Sequence, residues 1–515
     1  MLGTLISVGL VGCFLLTCYK NAFKRPSNFP PGPPSLPVYG SYWIILASAY
    51  NNLALACKRI GNWYNTKLIG SMIGKIPSVI VNDPDMIKEM LLKPELDGRM
   101  DIILGRLRAF WKRRGIFFTD GYFWHVQRRF SLRYMRDYGF GRRSATLEQV
   151  VEDEIKELID MRLNGPKNDA EREMVKGDLV LLPHFLSTPF INGVLHVASR
   201  LCLPREKYDA VWELSKGALL FQLNSNDLGG AISLTPWLKN ILPNYSGYNG
   251  LKKGNEALRN FFTGLVEEVM ATYDPSHSRH FLDEYIRQMY KENEVKGKSD
   301  KSTYSKEQLI MTCTDYMFPA ASATEAVLSM LLERLLMHPE LQDRVHEEID
   351  RVVGSGRLPN LDDRSNLPFT EACIREALRF DTLVPLGVPH RATESTTFHG
   401  YDIPEGTMFH ANYLMLHKSK EIWGDPDTFR PDRFIVDGKL DVSKDKSLPF
   451  GAGRRLCAGE TFARQSMFQV FAGIMQTFRL EKAPGAAPMP APRLQGIITT
   501  IPDYWIKLTP RHYNN

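Results

Sequence analysis

Cysteine is scarce in this chain and absent from the arrangements by which it usually builds structure. Seven cysteines stand among 515 residues, at 13, 18, 57, 202, 313, 373 and 457. The number is odd, the spacing is irregular and no C-x-x-C pair occurs, so neither a zinc site nor a disulfide framework is predicted. A reducing compartment is expected. The missing C-x-x-C-H also argues against haem attached covalently in the c-type manner. Blocks of like charge are missing as well. The net charge of +6 is spread along the chain, which leaves nucleic acid no basic tail to hold; an acidic protein or an anionic membrane surface fits, as does ordinary solvated charge. The N-terminus lacks the marks of a removable signal peptide. Leu2 to Cys18 is uncharged and mostly apolar, with no basic residue before it and no small-x-small cleavage site, and Lys20, Lys24 and Arg25 follow it. A retained anchor over 1–25 is expected, its apolar run from Leu2 to Cys18 spanning roughly 25 Å as a helix. The charges behind it place the remaining chain in the cytosol, where the sequon at Asn244-Tyr245-Ser246 should stay unmodified.

What is present begins with Pro30-Pro31-Gly32-Pro33-Pro34-Ser35-Leu36-Pro37, a run that excludes helix and predicts a stiff hinge over 26–40. The body, 41–515, has no internal repeat. At 43% hydrophobic residues it can bury a cofactor completely. Between Lys67 and Val81, apolar runs flank Gly70 to Pro77 and predict a strand pair; Asp83-Pro84 then opens a helix with an N-cap and a first-turn proline. Helical patterning covers 146–164, 254–272, 306–338, 339–353, 370–380 and 458–478. Glu292 to Ser305 reads as a charged surface loop, and Pro484 to Pro492 as a connector before a strand pair near 494–508. The fold class is mainly α with a small β region.

The chemistry gathers at Pro449 to Glu460. This glycine-punctuated loop delivers Cys457 to the start of an apolar helix, where unpaired N–H groups and the helix dipole favour a thiolate. Gly451 and Gly453 admit backbone angles closed to other residues, and Gly459 leaves room for a flat ligand. Arg455 can meet an acidic group on that ligand. Elsewhere, Trp124 and Arg128 share a helix face at i and i+4, suited to one planar, carboxylated molecule. Glu376 and Arg379 share another at i and i+3, followed by Pro426-Asp427-Thr428-Phe429-Arg430-Pro431-Asp432-Arg433-Phe434. Each is common alone; their order along one chain is not.

Phe-x-x-Gly-x-Arg-x-Cys-x-Gly, met by Phe450, Gly453, Arg455, Cys457 and Gly459, resembles the haem-binding loop of the cytochrome P-450 monooxygenases. Trp-x-x-x-Arg, Glu-x-x-Arg, the Pro-Arg segment and the proline hinge resemble further family elements in family order, in the style of microsomal animal members, arthropod ones included. The resemblance implies the cytochrome P-450 fold behind an N-terminal transmembrane anchor, with haem b ligated by Cys457. Arg99, Trp124, Arg128, His390 and Arg455 are then the expected contacts of the haem carboxylates, and Glu376, Arg379 and Arg433 a buried structural triad. It further implies a lipophilic substrate and electrons from NADPH through a reductase in the endoplasmic reticulum membrane, with cytochrome b5 a second candidate donor. Arg128, Arg129, Arg133, Arg136 and Arg454 are candidates for the reductase-facing surface.

On the long central helix the chain departs from the family. Where the family reads Ala-Gly-x-Asp/Glu-Thr-Thr/Ser, this chain reads Pro319-Ala320-Ala321-Ser322-Ala323-Thr324-Glu325. An ungapped register puts Ser322 at the acid and Ala323 at the alcohol; a shift by one residue restores Thr324 as the alcohol but breaks the anchors at Asp315 and His338-Pro339. Pro319 is expected to bend the helix. Three functions stay open: monooxygenase, isomerase or dehydratase of a peroxide, and haem-containing ligand-binding protein without oxygen chemistry.

Overall fold

The computed structural model describes residues 25–50, 52–225, 230–296 and 302–511, with isolated positions nearer the N-terminus. The expected anchor lies almost wholly outside the described residues; among those described, no helix is long and apolar enough to cross a membrane. The architecture is mainly helical with two principal small sheets. In the first, β1 (Leu68–Ile73) and β2 (Ile76–Val81) form the expected hairpin, Leu68 facing Val81. The sheet continues with β3 (Gly98–Arg99), β5 (His390–Arg391) and β6 (Met408–Ala411) in the order β1-β2-β6-β5-β3. Only the β2 and β6 pairing is parallel. Arg99 and His390, 291 positions apart in sequence, are direct partners across β3 and β5. The second sheet joins β4 (Leu179–Leu182), β7 (Phe478–Lys482) and β8 (Tyr504–Pro510).

That second sheet corrects the expected C-terminal pair. Leu494 and Thr500 form only an isolated bridge, whereas β8 pairs with β7 and β4. The register needed strands far earlier in the chain, and local patterning does not reveal them. The proline hinge also differs from a free connector: Gly70 on β1 donates to Pro31 O at 2.8 Å, and Pro30, Gly32 and Pro33 are buried against the body. The predicted loop at 292–305 is helical as far as Lys296; 297–301 lie outside the described residues.

Seven helices carry the site: α1 (Pro84–Leu92), α2 (Gly121–Asp137), α3 (Tyr208–Leu223), α4 (Lys306–Ala320), α5 (Ala323–Met337), α6 (Pro368–Phe380) and α7 (Glu460–Thr477). Asp83 caps α1, its carboxylate accepting from Asp85 N and Met86 N at 3.1 Å, with Pro84 in the first turn as expected. Ser305 caps α4 through Gln308 N at 3.1 Å. Most of α4, α5 and α7 is buried on all faces, which marks central helices rather than surface ones.

The predicted single helix over 306–338 is two helices broken at Ala321 and Ser322. Pro319 supplies no N–H, and Ser322 leaves helical geometry at φ −147° and ψ −42°. Two hydroxyls hold the break. Ser322 Oγ donates to Phe318 O at 2.7 Å, and Thr324 Oγ1 donates to Ala320 O at 2.8 Å, so side chains take carbonyls that a continuous helix would give to its own amides.

Phe468 of α7 is fully buried within the main hydrophobic core. Phe468→Ala should cost about 3–5 kcal/mol. Urea unfolding of the purified protein measures it; a loss below about 1 kcal/mol would show that α7 is not central to the core.

Candidate active site

A cavity of about 260 Å³ lies between the break in α4 and α5 on one side and the cysteine loop on the other. Its walls are almost wholly apolar, with Ile116, Phe117, Phe318 and Val327 among them. Cys457 lines this cavity and is exposed to it. Its amide donates to Phe450 O at 2.9 Å, which closes the loop. Gly451 and Gly453 have φ of +74° and +65°, as expected of them; a Cβ on Gly453 would also strike Leu91 O at the end of α1. Gly459 has ordinary φ, −100°, and its role is space: a Cβ there would stand 4.0 Å from Cys457 Sγ.

The expected thiolate preference is outweighed. Burial pushes the Cys457 thiol up, against the backbone N–H groups of Gly459 and Glu460 and the guanidinium of Arg128. A bare helix start is too weak a stabiliser in so dry a place; a metal cation bound to sulfur would supply the missing charge.

Around the same cavity stand Arg99, Arg128, His390 and Arg455. None is paired with a carboxylate within reach among the described residues. Arg455 donates to two carbonyls, Asp97 O at 2.7 Å and Thr119 O at 3.0 Å, and its guanidinium lies 3.6 Å from the Trp124 ring centre. Burial and the neighbouring Arg99 pull its pKa down to about 8. Arg99 is held at about 10, chiefly by burial; it reaches Pro389 O at 3.4 Å and leaves Nε buried without a partner. Arg128 donates to Leu456 O. His390 Nδ1 lies 2.7 Å from Leu96 O, so this nitrogen carries the proton. Burial and Arg99 hold the imidazole well below its ordinary range. Trp124 does not line the cavity, but its indole N–H is buried and unpartnered. Buried donors and cations without acids fit a ligand that brings its own carboxylates.

Beneath the loop, Glu376 and Arg379 form a fork-to-fork pair at 2.7 and 2.8 Å, both side chains fully buried. Arg433 Nε reaches Glu376 Oε1 at 3.1 Å, and Arg430 N donates to the same oxygen at 2.9 Å. His417 had no signal in the sequence. It accepts from Leu448 N at 3.2 Å, its backbone carbonyl accepts from Arg379 at 2.7 Å, and so it ties this cluster to the cysteine loop. Asp120 was equally silent: one of its oxygens accepts from Arg99 N and from Arg391, both at 2.9 Å.

Of the three oxygen-side candidates, Ala323 and Thr324 line the cavity and Ser322 does not. Asp315 also lines it, pairing with buried Arg108 and accepting from Ile116 N at 2.6 Å and Phe117 N at 3.0 Å. It thereby fixes the wall opposite the cysteine loop.

Residues 30–508 match the family model described as Cytochrome P450. The chain belongs to the cytochrome P450 family. A fruit fly relative, "Probable cytochrome P450 303a1" of Drosophila melanogaster, is 31% identical over 96% of this chain and 97% of its own length. Human "Cytochrome P450 2J2" is 29% identical over 90% and 88%, and the silkworm "Farnesoate epoxidase" of Bombyx mori is 28% identical over 98% of both. This P450 is therefore an oxidoreductase of the haem-thiolate monooxygenase class, and the family implies haem iron. The donor set around the cavity fits that group: one sulfur on one face, and cations and an imidazole placed for acidic substituents.

Glu376→Ala would leave Arg379 buried without its counter-charge, at a cost of about 3–5 kcal/mol. Urea titration of the apoprotein checks this, and a shift below about 1 kcal/mol would mean that the cluster does not hold the loop.

Proposed function

We propose that this P450 is a microsomal monooxygenase that inserts one atom of O2 into a lipophilic substrate, with electrons drawn from NADPH through a membrane-bound reductase. Haem b would lie against Cys457 as axial ligand, with its carboxylates toward Arg99, Trp124, Arg128, His390 and Arg455. The observation that carries the reading is the meeting of Cys457 with Arg99, Arg128 and Arg455, none of which forms an ion pair with a carboxylate among the described residues. Phe450 and Gly459 would flank the sulfur side; Gly453 serves the loop by packing on α1. The bound haem supplies the iron at which O2 is taken up and activated. The chain's own contribution is position and dryness. The apolar walls accept a lipophilic molecule and keep water from the reacting centre, and the arginines would hold the acidic edge of the haem.

The anchor over 1–25 and the basic residues behind it support an endoplasmic reticulum location with the body in the cytosol, and cytochrome b5 is a second electron donor under the same reading. Arg129, Arg133 and Arg136 are exposed on one side of α2, on the helix that carries Trp124 to the sulfur side, and form the proposed reductase-docking face. Arg128 is withdrawn from it, turned to Leu456 O and the Trp124 ring. Farnesoate, after which the silkworm relative is named, heads the substrates to be screened, beside sterols, fatty acids and xenobiotics.

A second reading has its own support. Ser322's hydroxyl is committed to Phe318 O and Ala323 has none, so the usual acid and alcohol of the oxygen side are missing. An isomerase or dehydratase of a preformed peroxide would not need them. Product formed from a hydroperoxide without NADPH or reductase selects that reading; reductase-dependent product selects the first.

Two measurements follow. The reduced, CO-bound protein should show the red-shifted Soret band of a thiolate haem, and Cys457→Ser should abolish that band; a band that survives would place the ligand elsewhere. Arg133→Glu combined with Arg136→Glu should slow reductase-driven turnover on the order of tenfold at low salt, well beyond any change in peroxide-driven turnover, and equal reductase kinetics would remove this face from the docking surface.

A further inference from the structure

A hydrogen-bonded file of side chains runs from the surface to the helix break. Asp503, just before β8, is half exposed at a second cavity bordered by the 483–489 loop. Its Oδ1 lies 3.3 Å from Nε2 of His184, which is buried in the short helix His184–Leu186. The other ring nitrogen, Nδ1, lies 3.0 Å from Ser215 Oγ on α3. Ser215 donates to Glu325 Oε1 at 3.2 Å, and Ser187 donates to Glu325 Oε2. Ser187 Oγ is also 3.4 Å from Ser215 Oγ. Ser187, Ser215 and Glu325 are all buried.

The file has a direction. A serine hydroxyl owns one proton, and Ser215 gives its own to Glu325, so His184 Nδ1 must be the donor to Ser215. N–H, O–H and carboxylate therefore point inward in sequence, each able to pass a proton to the next. His184 sits in the middle with both nitrogens engaged, as a proton-passing imidazole must. The remaining neighbours are the Trp212 ring, 4.6 Å from the imidazole, and Lys216, 4.3 Å from the Trp212 ring. Burial lowers the His184 pKa, but Asp503 and Glu325 raise it further, and the net direction is up. Burial also raises Glu325, against His184, Ser187 and Ser215. Both shifts run toward the protonated form of the group. A purely structural cluster at this place would need no ionisable core, and two buried ionisable groups carry a desolvation cost that neutral polar groups avoid.

Glu325 lies in the first turn of α5, immediately after Thr324, whose side of the helix lines the cavity. We propose that this file supplies protons to the oxygen side of the cavity in place of an acid at 322 and an alcohol at 323, with Glu325 as its inner relay residue and the broken turn at Thr324 as its outlet. The proposal rests on the monooxygenase reading. Converting a C–H bond and O2 into an alcohol and water consumes two protons and two electrons; the electrons come from NADPH, and the file accounts for the protons. For each proton that Glu325 releases, Ser215 passes one to it and takes one from His184 Nδ1, and His184 regains one at Nε2 from solvent beside Asp503.

The test uses full-length, haem-loaded protein with its reductase, and farnesoate or the panel compound that is turned over best. Glu325→Gln should lower product per NADPH on the order of tenfold, with hydrogen peroxide released in its place, and should lower the ratio of reductase-driven to peroxide-driven product. Asp503→Asn, at the exposed end, should do so less strongly and should change the solvent deuterium isotope effect on product formation. Independently of turnover, infrared spectra taken across pH identify the Glu325 carboxyl by its loss in Glu325→Gln; Asp503→Asn should shift the pH at which that band titrates. Wild-type product with unchanged coupling in both variants overturns the relay. No product from wild type under reductase supply overturns the monooxygenase reading instead, and the infrared arm then judges the file alone: a Glu325 band indifferent to Asp503→Asn overturns it. Should Glu325→Gln fail to take up haem, His184→Asn and Asp503→Asn carry the coupling test.

Discussion

Everything about the site depends on one buried carboxylate. Glu376 receives both arms of the Arg379 guanidinium, Nε of Arg433 and the amide of Arg430. A carboxylate taken so far from water is costly unless its lone pairs are met, and here several donors meet them. The donors come from α6 and from the segment more than fifty residues later, so satisfying one charge pins two distant stretches of chain. Arg379 extends the tie to His417 O, and His417 extends it to Leu448 N, at the threshold of the cysteine loop. Cys457 is thus placed by a chain of hydrogen bonds that starts at an ion pair it never touches.

On that platform the two sides of the cavity are built by opposite means. The sulfur side is polar in its anchoring: Arg99, Arg128, His390 and Arg455 are held by backbone carbonyls rather than by acids. Carbonyls orient the guanidinium groups without neutralising them, so positive potential is left for a ligand. The opposite side is apolar and interrupted. Pro319 and the back-bonding hydroxyls of Ser322 and Thr324 break the central helix where it passes the cavity. The same hydroxyls that end the helix are thereby tied to its carbonyls. The buried acid next beyond them is Glu325, which accepts from Ser187 and Ser215.

The limits of reading a chain by pattern show in particular residues. Asp83-Pro84 announced a helix start because cap and proline act within one turn. The β1 and β2 hairpin was legible for the same reason. The β7 and β8 pairing was not, since strand 478–482 directly follows a helix and its partner lies beyond residue 503. His417, Asp120 and the His184 to Glu325 file left no mark in the sequence: each gains its role from atoms brought together across tens to hundreds of residues. At Cys457 the helix-end N–H groups that lower the thiol pKa could be read from sequence, while the burial that raises it could not.

By itself the sequence determined the family, the cysteine loop, the glycines that shape it, and the departure at Ser322 and Ala323. These are local facts, carried by residue identity at fixed short spacing. Tertiary structure alone decided that the arginines stand without acids, that the central helix is two helices, and that a buried carboxyl beside the break is wired to the surface. Those depend on burial and on which distant groups meet, and free energy at a site is set by the neighbours that exclude water from it.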